Sequence, residues 1–270
     1  MATGHLTRGT TNTNRLRRVD RWLAEQAVLR GASSPLVVDL GFGASGTTTF
    51  ELRDRLARRI PNVRVHGIEI DPERVATATK QLELKDAATR ASVSFGRGGF
   101  ETPTPGDERP LVIRAFNVLR QYDEAEVAAA WELMLDRLAP GGMLVEGTCN
   151  EVGRVASWVS LRAAGTGADR GPETFTVSLH LPSLESPAIT AERLPKALIH
   201  RNVPGERVHD FLRALEDAWV RSAPLQTFGA RQRFEVSCRA LVDAGWPLLD
   251  GPRRWRLGEL TLPWSAVAPA

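Results

Sequence analysis

Residues 36–49 read LVVDLGFGASGTTT. Leu36, Val37, Val38 and Leu40 are apolar and mostly branched. A short apolar run closed by glycine is the pattern of a strand buried on both faces of a parallel sheet. Gly41, Gly43 and Gly46 then permit a tight turn and a close approach of a ligand to the backbone. FELRDRLARRI follows, with Phe50, Leu52, Leu56 and Ile60 recurring at helical spacing. Strand, glycine turn and helix either open a nucleotide-binding α/β unit or make a purely structural turn.

Two features favour a binding unit. Asp39 lies near the end of the strand, two residues before Gly41, and a second apolar run, Val63 to Glu69, ends in a carboxylate before Asp71-Pro72. Glu69 stands 26 residues beyond Gly43, close to where such folds place the acid that holds ribose hydroxyls. A carboxylate there accepts two hydrogen bonds from a vicinal diol.

DLGFGASG at 39–46 followed by VHGIEIDPERV at 65–75 resembles the class I S-adenosylmethionine-dependent methyltransferases. Asp39, Gly41 and Gly43 match the family's first motif; Ser45 stands where a third glycine is usual, and Gly46 follows one place late. The resemblance implies a glycine turn packed on the methionine part of S-adenosyl-L-methionine and Glu69 on its ribose. Asp71 falls where the family has a small residue before proline. Leu138-Ala-Pro-Gly-Gly142 resembles the start of the family's fifth strand. Where the family's third strand ends in Gly-Asp, with the acid on the adenine amino group, this chain has Gly98-Gly99-Phe100-Glu101. Phe100 either stacks on adenine or closes the core. The likeness covers roughly residues 35 to 150.

The implied fold is a Rossmann-like, doubly wound, seven-stranded α/β sheet with an added helical segment. The expected divisions are an N-terminal arm and helix (1–34), a cofactor-binding core (35–186), a helical insertion (187–250) and a last strand returning to the sheet (251–270). Strands are expected at 91–95, 111–117, 175–181 and 255–262, and a helix at 151–161. Asp123 is expected to cap a helix ending near Leu138. Val208, Phe211, Leu212, Leu215, Ala218 and Trp219 form one buried stripe; Phe234, Cys238, Leu241 and Val242 form another.

Ligands of open α/β sheets bind outside the carboxyl ends of the strands. That places Arg114, Asn117 and Tyr122 near the chemistry, with Asn117 a cofactor candidate and Arg114 and Tyr122 substrate candidates. An arginine within an apolar strand needs a partner. Arg114 has either a structural carboxylate, Asp39 or Glu146, or a substrate acid. The segment Phe116-Asn-Val-Leu119 lacks the Asn/Asp-Pro-Pro-aromatic signature of the family's adenine and glutamine amino-methylating members and the proline-cysteine of its cytosine C5 members. A small-molecule acceptor is the reading that remains. Transfer from a sulfonium needs a base only when the acceptor must lose a proton; Tyr122 and His180 are the candidates, and His180 is otherwise a structural strand histidine.

The chain has 270 residues, a net charge of +3 and almost no lysine, so its basicity is arginine. That modest charge permits an anionic ligand without calling for nucleic acid, and no aromatics interleave Arg15, Arg17, Arg18 and Arg21 to stack bases. Cys149 and Cys238 are too distant in sequence for metal spacing or a disulfide framework, which points to a reducing cytoplasm. No stretch reads as a signal peptide or membrane span. Residues 1–14, MATGHLTRGTTNTN, are polar and expected to form a lid, with Asn14 capping a helix over 15–29. Two other functions share these signals: a non-catalytic S-adenosylmethionine-binding module and a nicotinamide-dependent oxidoreductase. The second lacks a tyrosine–lysine pair, since Tyr122 is the sole tyrosine.

Overall fold

A computed structural model of the chain describes residues 2–7, 9–165 and 170–270. Its strands are hydrogen-bonded in the order β3-β2-β1-β4-β5-β6-β7-β8. The residues fall into two compact units. One holds residues up to Glu146 together with Glu151–Gly153 and Leu161–Gly171; the other holds Gly147–Asn150, Arg154–Ser160 and Pro172–Ala270.

In the first unit, β1 (Leu36–Leu40) pairs in parallel with β2 (Arg64–Glu69) on one side and with β4 (Val112–Phe116) on the other, and β3 (Val93–Arg97) pairs in parallel with β2. Every residue of β1 and β4 is buried, the charged Asp39 and Arg114 included, as in strands covered on both faces. Helix α3 (Thr47–Ala57) starts directly from the glycine turn and buries Phe50, Leu52 and Leu56. Phe95 meets Phe50 edge-on at 5.5 Å and Phe42 at 5.1 Å. Asp71 accepts from the Glu73 amide and caps α4 (Pro72–Glu83), with proline at its first position. A short helix, α5 (Ala87–Ser92), precedes β3, so that strand begins two residues later than expected. Asp123 and Glu126 form a reciprocal capping box on α6 (Glu124–Arg137).

The expected first helix is broken. It runs as α1 (Arg17–Leu23) and α2 (Ala27–Arg30), and the Gln26 side-chain amide donates back to the Trp22 carbonyl between them. Asn14 is not its cap: it takes a left-handed φ of 62°, and its amide donates to Glu51.

Strand β5 (Met143–Cys149) is followed by a strand, not the expected helix over 151–161. This is β6 (Val155–Arg162), in which Val155 to Leu161 are all buried. Burial on both faces erases the alternation that marks a half-exposed strand, which is why VASWVSL reads ambiguously. Among the described residues the sheet has eight strands, one more than the seven expected.

In the second unit, β7 (Gly171–Leu179) pairs antiparallel with β8 (Glu259–Pro263). Its helices are α7 (Lys196–Ile199), α8 (Arg207–Arg221), α9 (Ala230–Asp243) and α10 (Pro252–Trp255), the last lying where the final strand was expected to begin. The α8 stripe is buried as its spacing requires. On α9, Phe234, Cys238 and Leu241 are buried while Val242 is 45% exposed. Among the described residues no helix is long and apolar enough to cross a membrane.

Candidate functional site

The loops leaving β1, β2, β3 and β4 converge in the first unit. Strand order reverses between β1 and β4, and such a switch point opens a crevice at the carboxyl ends of the strands. Gly41 and Gly43 take φ of 72° and 87°, which only glycine adopts without strain. A Cβ on Gly41 would stand 2.6 Å from the Val118 methyl, so the turn also lies too close to β4's loop for any side chain.

Glu69 ends β2 with a side chain only 2% exposed. Its Oε2 accepts from the Gly43 amide at 3.0 Å and its Oε1 from the Ile70 amide at 3.0 Å. Arg74 Nη1 lies 3.7 Å from Oε1, and Arg74 Nε lies 3.3 Å from Asp71. The carboxylate thus ties the glycine turn to the end of β2. Gly41, Glu69, Gly98, Gly99, Phe100, Val118 and Tyr122 line one small cavity with Thr3, Gly4, His5 and Thr7 of the N-terminal arm. Phe100 is buried with its ring 5.2 Å from that of Tyr122. Burial raises the Tyr122 pKa above the usual phenol value, against a pull from the His5 backbone, so the hydroxyl stays protonated at neutral pH.

Other expected site residues lie elsewhere. Asp39 does not face the cavity: it accepts from Thr49 at 2.8 Å, from Thr48 at 3.2 Å and from Arg114. Arg114 is fully buried and bridges Asp39 and Asp20, so its partner is the structural carboxylate and no substrate acid reaches it. Burial opposes its charge, and the two carboxylates outweigh burial, raising its pKa above the ordinary arginine value. Ser45 pairs with Thr47 at the start of α3. Asn117 takes a φ of 60°, and its neighbour Val118 is the one that lines the cavity. His180 belongs to the second unit, where it pairs with Ser183 at 2.8 Å. There it borders a separate cavity of about 520 Å³ with Arg154, Glu185 and Glu192.

Two of the four arginines at the start of the N-terminal helix, Arg15 and Arg17, are engaged in place. Arg15 donates to the Thr10 carbonyl and Arg17 to those of Asn14 and Val152. The arm's own place in the cavity was not legible from its sequence, because most of its contacts are made by backbone groups that every residue carries. No cluster of three or more metal-ligating side chains occurs among the described residues.

A parallel β3-β2-β1-β4 order, a glycine turn after β1 at the switch point and an acid ending β2 decide the architecture. This is a Rossmann-like, doubly wound α/β fold. No family model and no curated protein matches the chain. Solved methyltransferases do. The glycopeptide N-methyltransferase MtfA is 20% identical over 54% of this chain and 57% of its own, with a TM-score of 0.39. Human N-acetylserotonin methyltransferase, solved with S-adenosylmethionine, is 20% identical over 50% of this chain and 35% of its own, TM-score 0.36. The N-methyltransferase NodS from Bradyrhizobium japonicum WM9, solved with S-adenosylhomocysteine, is 20% identical over 50% and 62%, TM-score 0.34. The chain spans less than two thirds of the length of each of these methyltransferases.

Proposed function

We propose that the chain is an S-adenosylmethionine-dependent methyltransferase acting on a small molecule. The observation that carries this reading is the Glu69 carboxylate, held 3.0 Å from the Gly43 amide at the switch point of the sheet. The cradle suits such a cofactor: Gly41 and Gly43 turn the backbone at the switch point with positive φ, and at Gly43 and Gly99 the backbone is open enough for the arm to approach where a Cβ would block it. Glu69 would take the ribose hydroxyls, the Gly41–Gly43 turn the methionine end, and Phe100 the ring. Bound S-adenosylmethionine supplies a methyl group already activated by the sulfonium. The protein's share is then alignment of the acceptor and exclusion of water. Tyr122, held as a phenol, would position the acceptor by hydrogen bonding. The two buried free thiols, Cys149 and Cys238, support a reducing, cytoplasmic setting.

Titration calorimetry with S-adenosylmethionine, S-adenosylhomocysteine and nicotinamide dinucleotides tests the reading. The first two should bind and the dinucleotides should not. Dinucleotide binding with silent S-adenosylmethionine would remove the proposal. Release of S-adenosylhomocysteine in the presence of acceptors then separates an enzyme from a binding module.

A further inference from the structure

The N-terminal arm fills the cavity just described. Thr3 is held at both its backbone groups: its amide donates to Glu101 Oε2 at 2.7 Å, and its carbonyl accepts from the Phe100 amide at 2.9 Å. Glu101 is set for this by accepting from the Gly99 amide through its other oxygen, at 3.0 Å. The His5 amide donates to the Tyr122 hydroxyl. Arg74, the neighbour of Glu69, donates to the Thr7 carbonyl at 3.0 Å. Further along, the Ala44 amide donates to the Gly9 carbonyl at 2.8 Å, and the Thr11 hydroxyl donates to the Phe42 carbonyl at 2.9 Å.

The fit is as close as that of a ligand. A Cβ on Gly99 would collide with the Thr3 carbonyl oxygen, and one on Gly43 would collide with Thr11 and lie 2.9 Å from the Gly9 carbonyl. This accounts for glycine at 99, where a carboxylate was expected. About 20 Å³ remains between arm and cradle. Such a space holds a water once it reaches roughly 10–15 Å³, whereas pockets for small molecules and cofactors run to roughly 300–1,000 Å³. A nucleoside cannot enter while the arm is in place.

The arm is also built to leave. Most of its hydrogen bonds here run through backbone groups, with side-chain contacts from the Thr11 hydroxyl and from the His5 ring on Tyr122, and its one large apolar side chain in this stretch, Leu6, is 61% exposed. No side chain is pulled from the core when it departs. Its path depends on two glycines. Gly4 has a φ of 135°, and a Cβ there would stand 2.8 Å from the Tyr122 hydroxyl; Gly9 has a φ of 67° and lies against the Arg74 guanidinium.

We propose that the arm, residues 2–7 and 9–12, is a built-in competitor, a self-ligand that occupies the cofactor cleft and must be displaced before a nucleoside binds. Thr3 presents one donor and one acceptor side by side to Glu101 and the Phe100 amide. The amino group of an adenine and its adjacent ring nitrogen present the same pairing. The inference rests on the cofactor reading above and adds that the resting cleft is closed by the chain itself.

The test uses the full chain carrying Gly4→Val and Gly9→Val, which block the arm's path and leave the cradle intact. Calorimetry with S-adenosylhomocysteine should show at least tenfold tighter binding by the variant, about 1.4 kcal/mol. In the unaltered protein, the Thr3 and His5 amides should be protected from hydrogen exchange and lose protection when S-adenosylhomocysteine is added. Equal affinities, or weaker binding by the variant, would overturn the self-ligand and leave the cofactor reading standing. The weaker case would make the arm a clamp. If neither folded protein bound S-adenosylhomocysteine, the cofactor reading would fall and the self-ligand with it.

Discussion

Arg114 Nη2 lies 2.7 Å from Asp39 Oδ1, and the same guanidinium reaches Asp20 on α1. All three groups are buried, and Asp20 is bound again by Arg55 at 2.6 Å. The centre of β4 and the end of β1 are therefore clipped to the helix that follows the N-terminal arm.

Removing one partner of a buried ion pair strands the others. Arg114→Met should cost about 3–5 kcal/mol in urea unfolding, or prevent soluble expression. Adding Asp20→Asn and Asp39→Asn to it should restore part of the loss, because no uncompensated carboxylate is left in this cluster. A well-folded Arg114→Met protein that had lost only ligand affinity would instead mark Arg114 as a binding residue.

Glu69→Ala should weaken S-adenosylhomocysteine tenfold to a hundredfold, since hydrogen bonds to a charged group contribute roughly 1.5–3 kcal/mol. Glu69→Gln keeps one acceptor and should lose less. Asp71→Ala is the control: it removes the cap of α4, costing about 1 kcal/mol of stability, and should leave affinity unchanged. Calorimetry paired with melting curves separates the two effects. Affinity lost through Asp71 and kept without Glu69 would reverse the assignment.

Gly67→Ala should destabilise by about 1–3 kcal/mol through overpacking. A Cβ there would stand 2.6 Å from the Phe95 ring, which is confined by Phe42 and Phe50. Adding Phe95→Leu should recover part of the loss. Chemical denaturation of the single and double variants measures it.

Glu146 gives the protein a pH dependence. Burial pushes its pKa from 4.5 up to about 8, against a weaker opposing pull from the Trp131 indole. Neither of its oxygens has a partner at full hydrogen-bond geometry, which fits the net upward direction. In the unfolded chain the group ionises near 4.5, so stability present below that pH drains away as pH rises to about 8. His66 acts oppositely: burial lowers its pKa from 6.5 to about 4, so stability is lost as pH falls through that window. Glu146→Gln should gain on the parent protein between pH 4.5 and 8, by an amount on the order of a few kcal/mol. Urea titrations of both at pH 4.5, 6.5 and 8 check this; a difference that stays constant with pH would show Glu146 ionised in the folded state.

The parallel layer of the fold could be read from sequence because its signals are local: an apolar run, glycines and an acid within a few residues. Strand β6 lay hidden because it is buried on both faces. Asp39 looked like part of the cleft because its partner Arg114 is 75 residues away, and no local pattern joins the two. The arm was legible as polar and mobile in character, yet its seat on Gly43 and Gly99 depends on backbone groups and carries no composition signal. Val118 was passed over for Asn117 because a left-handed backbone at 117 decides which of the two side chains meets the turn.

The clip between Asp20 and Arg114 also sets how far the arm can stray. Its root on α1 is fixed to the sheet, so a displaced arm stays within a dozen residues' reach of the cleft. Short tethers of that kind hold an occupant at an effective concentration on the order of millimolar. That figure is a property of one molecule. Diluting the protein leaves the arm's share of the cleft unchanged, and only the free concentration of a rival ligand can shift it.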